Sequence, residues 1–342
     1  VNPQDMKPKH EPWYRSKTFK RFRRNPLAIT GTVMLIIFVV VAFLAPAITA
    51  PQLATIRSAR PCVRNLGLKR GEVVQALRNP LKLTFWRAAI KPPKSCYNIP
   101  RAGYSPLPKP PSKEHPFGLT SGSYDILYGL TWGARTAFYI GFLVVGISLA
   151  IGIVIGGVSG FLGGWVDNLI MRVVDVMLAF PRLVFVMIVS VIFGSGLTQV
   201  MLALAVVGWV GYARFFRGDI LKTKAQDFVD AARALGSSPT RIFFKHVVPN
   251  SIGTLLILAS MDVGSIVLTA AGLSFLGLGA PVGYADWGQM ISFARGYILG
   301  TAQGTPFDFW YVWIFPSVVL VLFGLAWNLL GDAVRDALDP KS

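Results

Sequence analysis

The sequence predicts an all-α integral-membrane fold with six transmembrane helices, and three observations predict it. Hydrophobic residues are 53% of the 342 and charged residues 15%, where soluble domains hold about 45–50% and about 25%. Mean hydropathy is +0.53. Six stretches are predominantly apolar over lengths near the roughly 20 residues that a bilayer crossing needs. This balance excludes an ordinary soluble enzyme, a disordered chain and a disulfide-dense secreted module. The remaining charge is lopsided, with 34 Lys+Arg against 16 Asp+Glu for a formal +18. Such an excess belongs either to a nucleic-acid binder or to a membrane protein with basic margins. The apolar runs decide for the second.

The first element, 1–26, has eight Lys/Arg and two acids. Positive charge beside a span holds that flank in the cytoplasm, so the N-terminus is expected inside. Within it, 13–24 interleaves Trp13, Tyr14, Phe19 and Phe22 with basic residues. It is either an interfacial helix on anionic membrane lipid or a basic flank that only sets topology. The first span, 27–48, is uncharged over 22 residues. Ala45-Pro46-Ala47 fits a signal-peptidase site, yet the apolar run before it exceeds the about 7–15 residues of a signal sequence. An uncleaved span is expected.

An external insertion, 49–131, follows, with thirteen Lys/Arg and three acids. Long loops translocate largely regardless of charge. Here 68–87 reads as a short helix with Val73, Val74 and Leu77 on one face, and the proline-rich end, 92–111, reads as extended chain. Cys62 and Cys96 both fall in this loop. An oxidising outer compartment permits a disulfide between them. Closing about 35 residues would contribute roughly 3.5–4 kcal/mol in the chain-entropy account. The alternative is two free thiols. With no histidine at ligand spacing, the pair is not a metal site.

Five further spans make a core over 132–335: 136–162, 173–194, 197–213, 252–278 and 309–330. Six crossings return the tail, 336–342, to the inside. Span two carries Ser148, Gly152, Gly156 and Gly160, a stripe of small residues that lets backbones approach closely, against either a moving or a static neighbour. In span three, Arg172 and Asp175 stand i,i+3 and are expected to form a structural ion pair at the cytoplasmic edge. Pro181 kinks that helix. Asp262 in span five has no basic residue within one turn, and is expected to face a water-filled cavity or a partner subunit as a pathway residue.

The loop 215–250 is basic and expected inside. Residues 227–235 favour helix, Gly236 suits the left-handed position after a helix end, Ser238 suits an N-cap and Pro239 the first helical position. A second short helix over 240–247 is expected to stop before Pro249. The product is a helix–turn–helix on the cytoplasmic face. Its flanking spans enter the membrane on both sides, so a nucleic-acid role has no support. No phosphate-cradling G-x-x-x-x-G-K-[ST] occurs, nor a dinucleotide, metalloprotease or nucleophile-elbow motif, and the three histidines lie on separate segments. No catalytic residue is expected in this chain.

Asp230-Ala231-Ala232, three residues, Gly236, nine residues, then His246-Val247-Val248-Pro249 resembles the EAA signature of permease subunits of bacterial ABC importers, Glu-Ala-Ala-x3-Gly-x9-Ile-x-Leu-Pro. The spacing matches throughout, with Asp230, His246 and Val248 departing in residue type. His246 and Pro249-Asn250 are similar to the peptide/nickel branch. His115-Pro116-Phe117-Gly118 resembles the branch's HPFGTD box, with Leu119-Thr120 in place of Thr-Asp. Gly133-Ala134-Arg135-Thr136 resembles its G-A-R-x-S/T element. Leu273-Ser274-Phe275-Leu276-Gly277-Leu278-Gly279, with Trp287-Gly288 downstream, resembles its LSFLGLG…WG stretch.

The resemblance implies a C-type permease subunit of a dipeptide or oligopeptide importer. It also implies the partners: a second permease subunit, two ATPase subunits carrying ATP and Mg, and an external substrate-binding protein. In it Asp230, Ala231, Ala232, Gly236, Pro239, His246 and Pro249 would form the coupling loop that docks on an ATPase. This chain would bind no cofactor itself. A nickel-chelate or other small-solute importer is the alternative within the family, and an ATP-independent carrier or channel the alternative outside it.

Overall fold

The computed structural model describes residues 25–301, 305 and 307–338. The segment 13–24, either an interfacial helix or a flank that only sets topology, lies outside the described residues. The helices are α1 (Pro26–Ile48), α2 (Ala50–Thr55), α3 (Arg60–Asn65), α4 (Val73–Arg78), α5 (Leu83–Ile90), α6 (Ile126–Leu162), α7 (Gly164–Leu178), α8 (Arg182–Phe193), α9 (Leu197–Lys224), α10 (Asp227–Ala234), α11 (Pro239–Ile242), α12 (Val248–Phe275), α13 (Trp287–Ser292), α14 (Arg295–Ile298) and α15 (Trp310–Leu338). Among the described residues there are only isolated β-bridges and no strands.

Local chemistry sets the ends. Asn25 caps α1 by accepting the Leu27 N–H (2.9 Å), and Pro26, which has no N–H to satisfy, takes the first helical position. Asp125 caps α6 by accepting the Tyr128 N–H (2.8 Å). At 37 residues α6 is roughly 55 Å long, well beyond the roughly 30 Å of a hydrocarbon core. Its first ten residues project past the uncharged run, which is why span two begins earlier than hydropathy alone indicates.

Among the described residues five helices are long and apolar enough to cross a membrane, and α7 with α8 makes a sixth crossing bent by 92°. The expected span 173–194, kinked at Pro181, is therefore corrected to two separate helices in a sharp bend. Pro181 disfavours helical backbone at Phe180 before it, so α7 ends and α8 restarts after the proline. That the bent pair crosses follows from its neighbours. α6 and α9 lie side by side and parallel: Gly152 meets Tyr212, Gly156 meets Ala213, and Gly160 meets Ile220. The end of α6 and the end of α9 share one side, where the Lys224 ammonium donates to the Phe161 carbonyl (2.6 Å). The chain between them must return to the other side. The start of α1 and the end of α15 share a side too, since the Asn25 amide lies 3.4 Å from the Asp336 carboxylate.

One end of the bundle, the cap end, carries 49–125 folded into α2 to α5 and connecting turns. The expected helix 68–87 is split there into α4 and α5, because Pro80 holds Asn79 extended (ψ 108°). Val73 and Leu77 are fully buried, as their spacing indicates. Cys62 and Cys96 form a disulfide that joins α3 to the turn at Lys94–Tyr97, with their Cα atoms 4.7 Å apart. Both cysteines sit in the cap's core. Cys96→Ser is expected to cost roughly 3–4 kcal/mol of cap stability. Protease added to the cap side of sealed vesicles should then cut within 57–96 of the variant faster than in the unsubstituted protein, and equal cutting rates would show the bridge to be dispensable.

Candidate functional site

Two regions gather the residues singled out in the sequence. The first is the loop at the end opposite the cap. α10, α11 and the turn that follows them bury Val229, Ala232, Ile242 and Val247. Between the two helices Gly236 adopts φ +78°, a left-handed turn that costs other residues about 1–2 kcal/mol. Ser238 caps α11, accepting the Arg241 N–H at 3.4 Å, and Pro239 opens it. Asp230 pairs with Arg233 on the surface (2.8 Å). The outward face is apolar for a polar loop: Leu235 is 87% exposed and Phe244 69%. Asp230, Ala231, Gly236 and Pro239 are exposed, whereas Ala232 is buried.

The second helix differs from expectation. α11 is one turn, followed by a π-helical turn over Phe243–Val247 that runs directly into α12. Pro249 does not stop the helix. It follows on the π-turn, through which the helix continues into α12. The His246 carbonyl accepts from the Asn250 side chain (2.6 Å). The loop is tied to α9 through Ser251, whose hydroxyl lies 2.8 Å from that of Thr223.

The second region is a cavity of about 620 Å³ between the α7–α8 bend, α9 and α12. Asp262 lines it, half-buried, and accepts the Tyr212 hydroxyl (2.8 Å) and the Ser265 hydroxyl (2.8 Å). Arg182, exposed at the start of α8, lines the same cavity, with Met177, Phe180 and Met261 among the apolar walls. One carboxylate and one guanidinium thus share a mostly apolar chamber. Sequence reasoning found Asp262 and missed Tyr212 and Arg182, because nothing in local spacing links residues on three helices.

The expected Arg172–Asp175 pair is not formed. Asp175 lies 3.4 Å from Arg214 on α9 instead, and Arg172 has no ion pair among the described residues. A tighter bridge escaped the sequence reading. Arg217 donates through two nitrogens to both oxygens of Asp167 (2.6 Å each), and the Ser159 hydroxyl donates to the same carboxylate. It clamps the first turn of α7 to α6 and α9.

The remaining motifs are joints at the cap end. His115 meets Asp125 (2.6 Å), and Phe117 packs at a tilt against Phe315 of α15 with centroids 4.5 Å apart. Burial pushes the Asp125 carboxyl above its usual range, partly offset by the Tyr128 N–H and by His115. Trp287 is almost fully buried and donates to the Leu130 carbonyl (3.1 Å), while Gly288 lets α13 rest on the backbone of Ala271. Among the described residues no group of three or more His, Cys, Asp or Glu could hold a metal.

Residues 152–342 match the family described as binding-protein-dependent transport system inner membrane component. Residues 12–61 match the N-terminal transmembrane domain of oligopeptide transport permease C. The chain is 36% identical to the oligopeptide transport system permease protein OppC of Bacillus subtilis, over 74% of this chain and 81% of that one. It is 31% identical to the dipeptide transport system permease protein DppC of Alkalihalophilus pseudofirmus, over 99% and 93%. It is 37% identical to the glutathione transport system permease protein GsiD of Pectobacterium atrosepticum, over 70% and 76%. Among solved structures, an inward-facing MetNI methionine ABC transporter aligns with TM-score 0.49 and 20% identity, over 62% of this chain and 97% of that one.

Proposed function

The chain belongs to the family of inner-membrane components of binding-protein-dependent transport systems, and on that premise we propose that it is the C-type permease subunit of an ATP-driven importer of dipeptides or oligopeptides. The single observation that supports this best is the exposed helical pair around left-handed Gly236, set at the EAA spacing. Leu235 and Phe244 give that pair an apolar face fit for a cleft on an ATPase subunit.

In this reading the loop end is cytoplasmic and the cap end external. Three features support the orientation: the basic segment 1–26, the disulfide at the cap end, and the shared side of the α1 start and the α15 end. The membrane is the bacterial inner membrane. A second permease subunit completes the pathway, two ATPases bind and hydrolyse ATP with Mg, and an external binding protein delivers cargo to 51–123 and 279–308. ATP closes the ATPase pair, the loop 230–249 follows it, and α9 and α12 re-aim the cavity from outside to inside. This chain supplies half of the pathway and no catalysis.

The cavity supports an amide cargo. A peptide brings an ammonium that answers Asp262, a carboxylate that answers Arg182, and side chains that suit the apolar walls. Asp262→Asn keeps an acceptor for Tyr212 but removes the charge. It is expected to raise the KM for peptide uptake by about tenfold, the worth of one modest charge contact, while basal ATP hydrolysis stays as it is. An unchanged KM would place Asp262 outside the pathway.

The whole reading is tested by purification and reconstitution. Two ATPase subunits should co-purify with the permease pair at equal stoichiometry, and labelled peptide should enter vesicles only with ATP. Uptake driven by an ion gradient without ATPases would overturn it.

A further inference from the structure

We propose that α5 and its flanks, 81–91, form an interfacial anchor that lies in the headgroup layer of the cap-end leaflet and binds anionic lipid. The helix has two apolar faces. Phe85, Ala88 and Ala89 are buried against the protein, while Leu81 is 93%, Leu83 82% and Ile90 69% exposed. Leu83, Trp86 and Ile90 recur at i, i+3 and i+7, so they share one outward stripe. Lys82, Arg87 and Lys91 are also exposed, and none has an ion pair among the described residues. Between 73 and 113 the chain holds eight Lys/Arg and no Asp/Glu.

Two contacts fix the depth of this stripe. Phe43 of α1 packs on Phe85 and Trp86 with centroids 6.1 and 5.9 Å apart. It lies five residues, roughly 8 Å, before the end of that membrane-crossing helix. Arg135 donates to the carbonyls of Ala88 (3.3 Å) and Ala89, which close the last turn of α5. Arg135 immediately precedes the 27 uncharged residues of 136–162. Both contacts hold α5 at the boundary between hydrocarbon and water.

The chemistry at that depth selects the occupant. Tryptophan and leucine flanked by cations, without acids, are the composition of a helix lying in an anionic interface. Directly below runs an apolar groove of about 410 Å³ between α1, α6 and α15, walled by Val39, Phe138, Phe142 and Trp327 with Arg135 beside them. Acyl chains suit that groove, which makes the anchor continuous with the lipid-facing bundle.

Leu83→Cys labelled with bimane tests the proposal, because both native cysteines are already paired. The assembled transporter is placed in vesicles, and the label is exposed in turn to aqueous iodide and to phosphatidylglycerol brominated on its acyl chains. Quenching by the brominated lipid and protection from iodide are expected, with Ile90→Cys behaving alike and Glu72→Cys showing the reverse. Brominated phosphatidylglycerol should quench severalfold more than brominated phosphatidylcholine at equal fraction. That preference should vanish when Lys82, Arg87 and Lys91 are all changed to Gln, with subunit stoichiometry unchanged. Iodide quenching at 83 would mean a water-exposed cap, and protection from both quenchers would mean that a protein subunit covers the face. Either result overturns the anchor, and equal quenching by the two lipids overturns its anionic preference.

Discussion

Gly236→Leu is expected to leave the chain inserted and the cap oxidised while lowering peptide-stimulated ATP hydrolysis about tenfold or more, an effect read as lost coupling rather than lost binding. The reason lies in what surrounds the position. A Cβ there meets nothing within 4 Å, so the fold has room for the side chain. The φ of +78° makes any β-carbon mildly strained, and the leucyl group would stand between α10 and α11 on the face offered to the ATPase. Gly236→Asn is the control, since asparagine tolerates left-handed backbone better than most residues. It should keep most of the coupling. Full coupling in the Leu variant, measured in vesicles with the binding protein present, would remove this loop from the docking surface.

Gly156→Leu should act at the opposite extreme, on assembly itself. A Cβ at Gly156 would collide with the carbonyl and Cα of Ala213, which are backbone atoms and cannot turn aside as a side chain can. Separating α6 from α9 would also pull Arg217 away from Asp167. Overpacking of this kind costs roughly 1–3 kcal/mol, occasionally more, and here backbone must move. The expected result is little folded protein in the membrane and little co-purified ATPase. The neighbouring Gly146→Leu, where a Cβ meets nothing within 4 Å, should be accepted. If both variants accumulate equally, the small-residue stripe is not what holds the pair together.

Much of this was legible along the chain. The apolar runs mark the six crossings, the third without the depth of its bend, because lipid demands length and composition that sequence displays directly. Ser148, Gly152, Gly156 and Gly160 mark the α6–α9 contact because helical spacing places them on one stripe. The loop was legible because Gly236 and Ser238 have local backbone duties. What was not legible required a partner from elsewhere in the chain. Asp175 turns from Arg172 to Arg214, and Asp167 finds Arg217 fifty residues on. Pro181 and Pro80 were stronger breaks than expected, and Pro249 a weaker one. Pro249 follows a π-turn through which the helix continues, and no such turn precedes Pro181 or Pro80. Tyr212 and Arg182 reach Asp262 only once three helices have packed.

That π-turn also has an angular consequence. From Pro239 to Phe275 the chain runs as one uninterrupted rod through the wider turn, so the direction in which Asp262 faces is set by the residue count back to the loop. Each residue adds about 100° of azimuth in an α-helix. The five residues Phe243–Val247 are therefore the phase setting of a crankshaft, with the loop as its handle and the Asp262 carboxylate as its throw. Removing one of them would keep both surfaces intact and point them in the wrong directions.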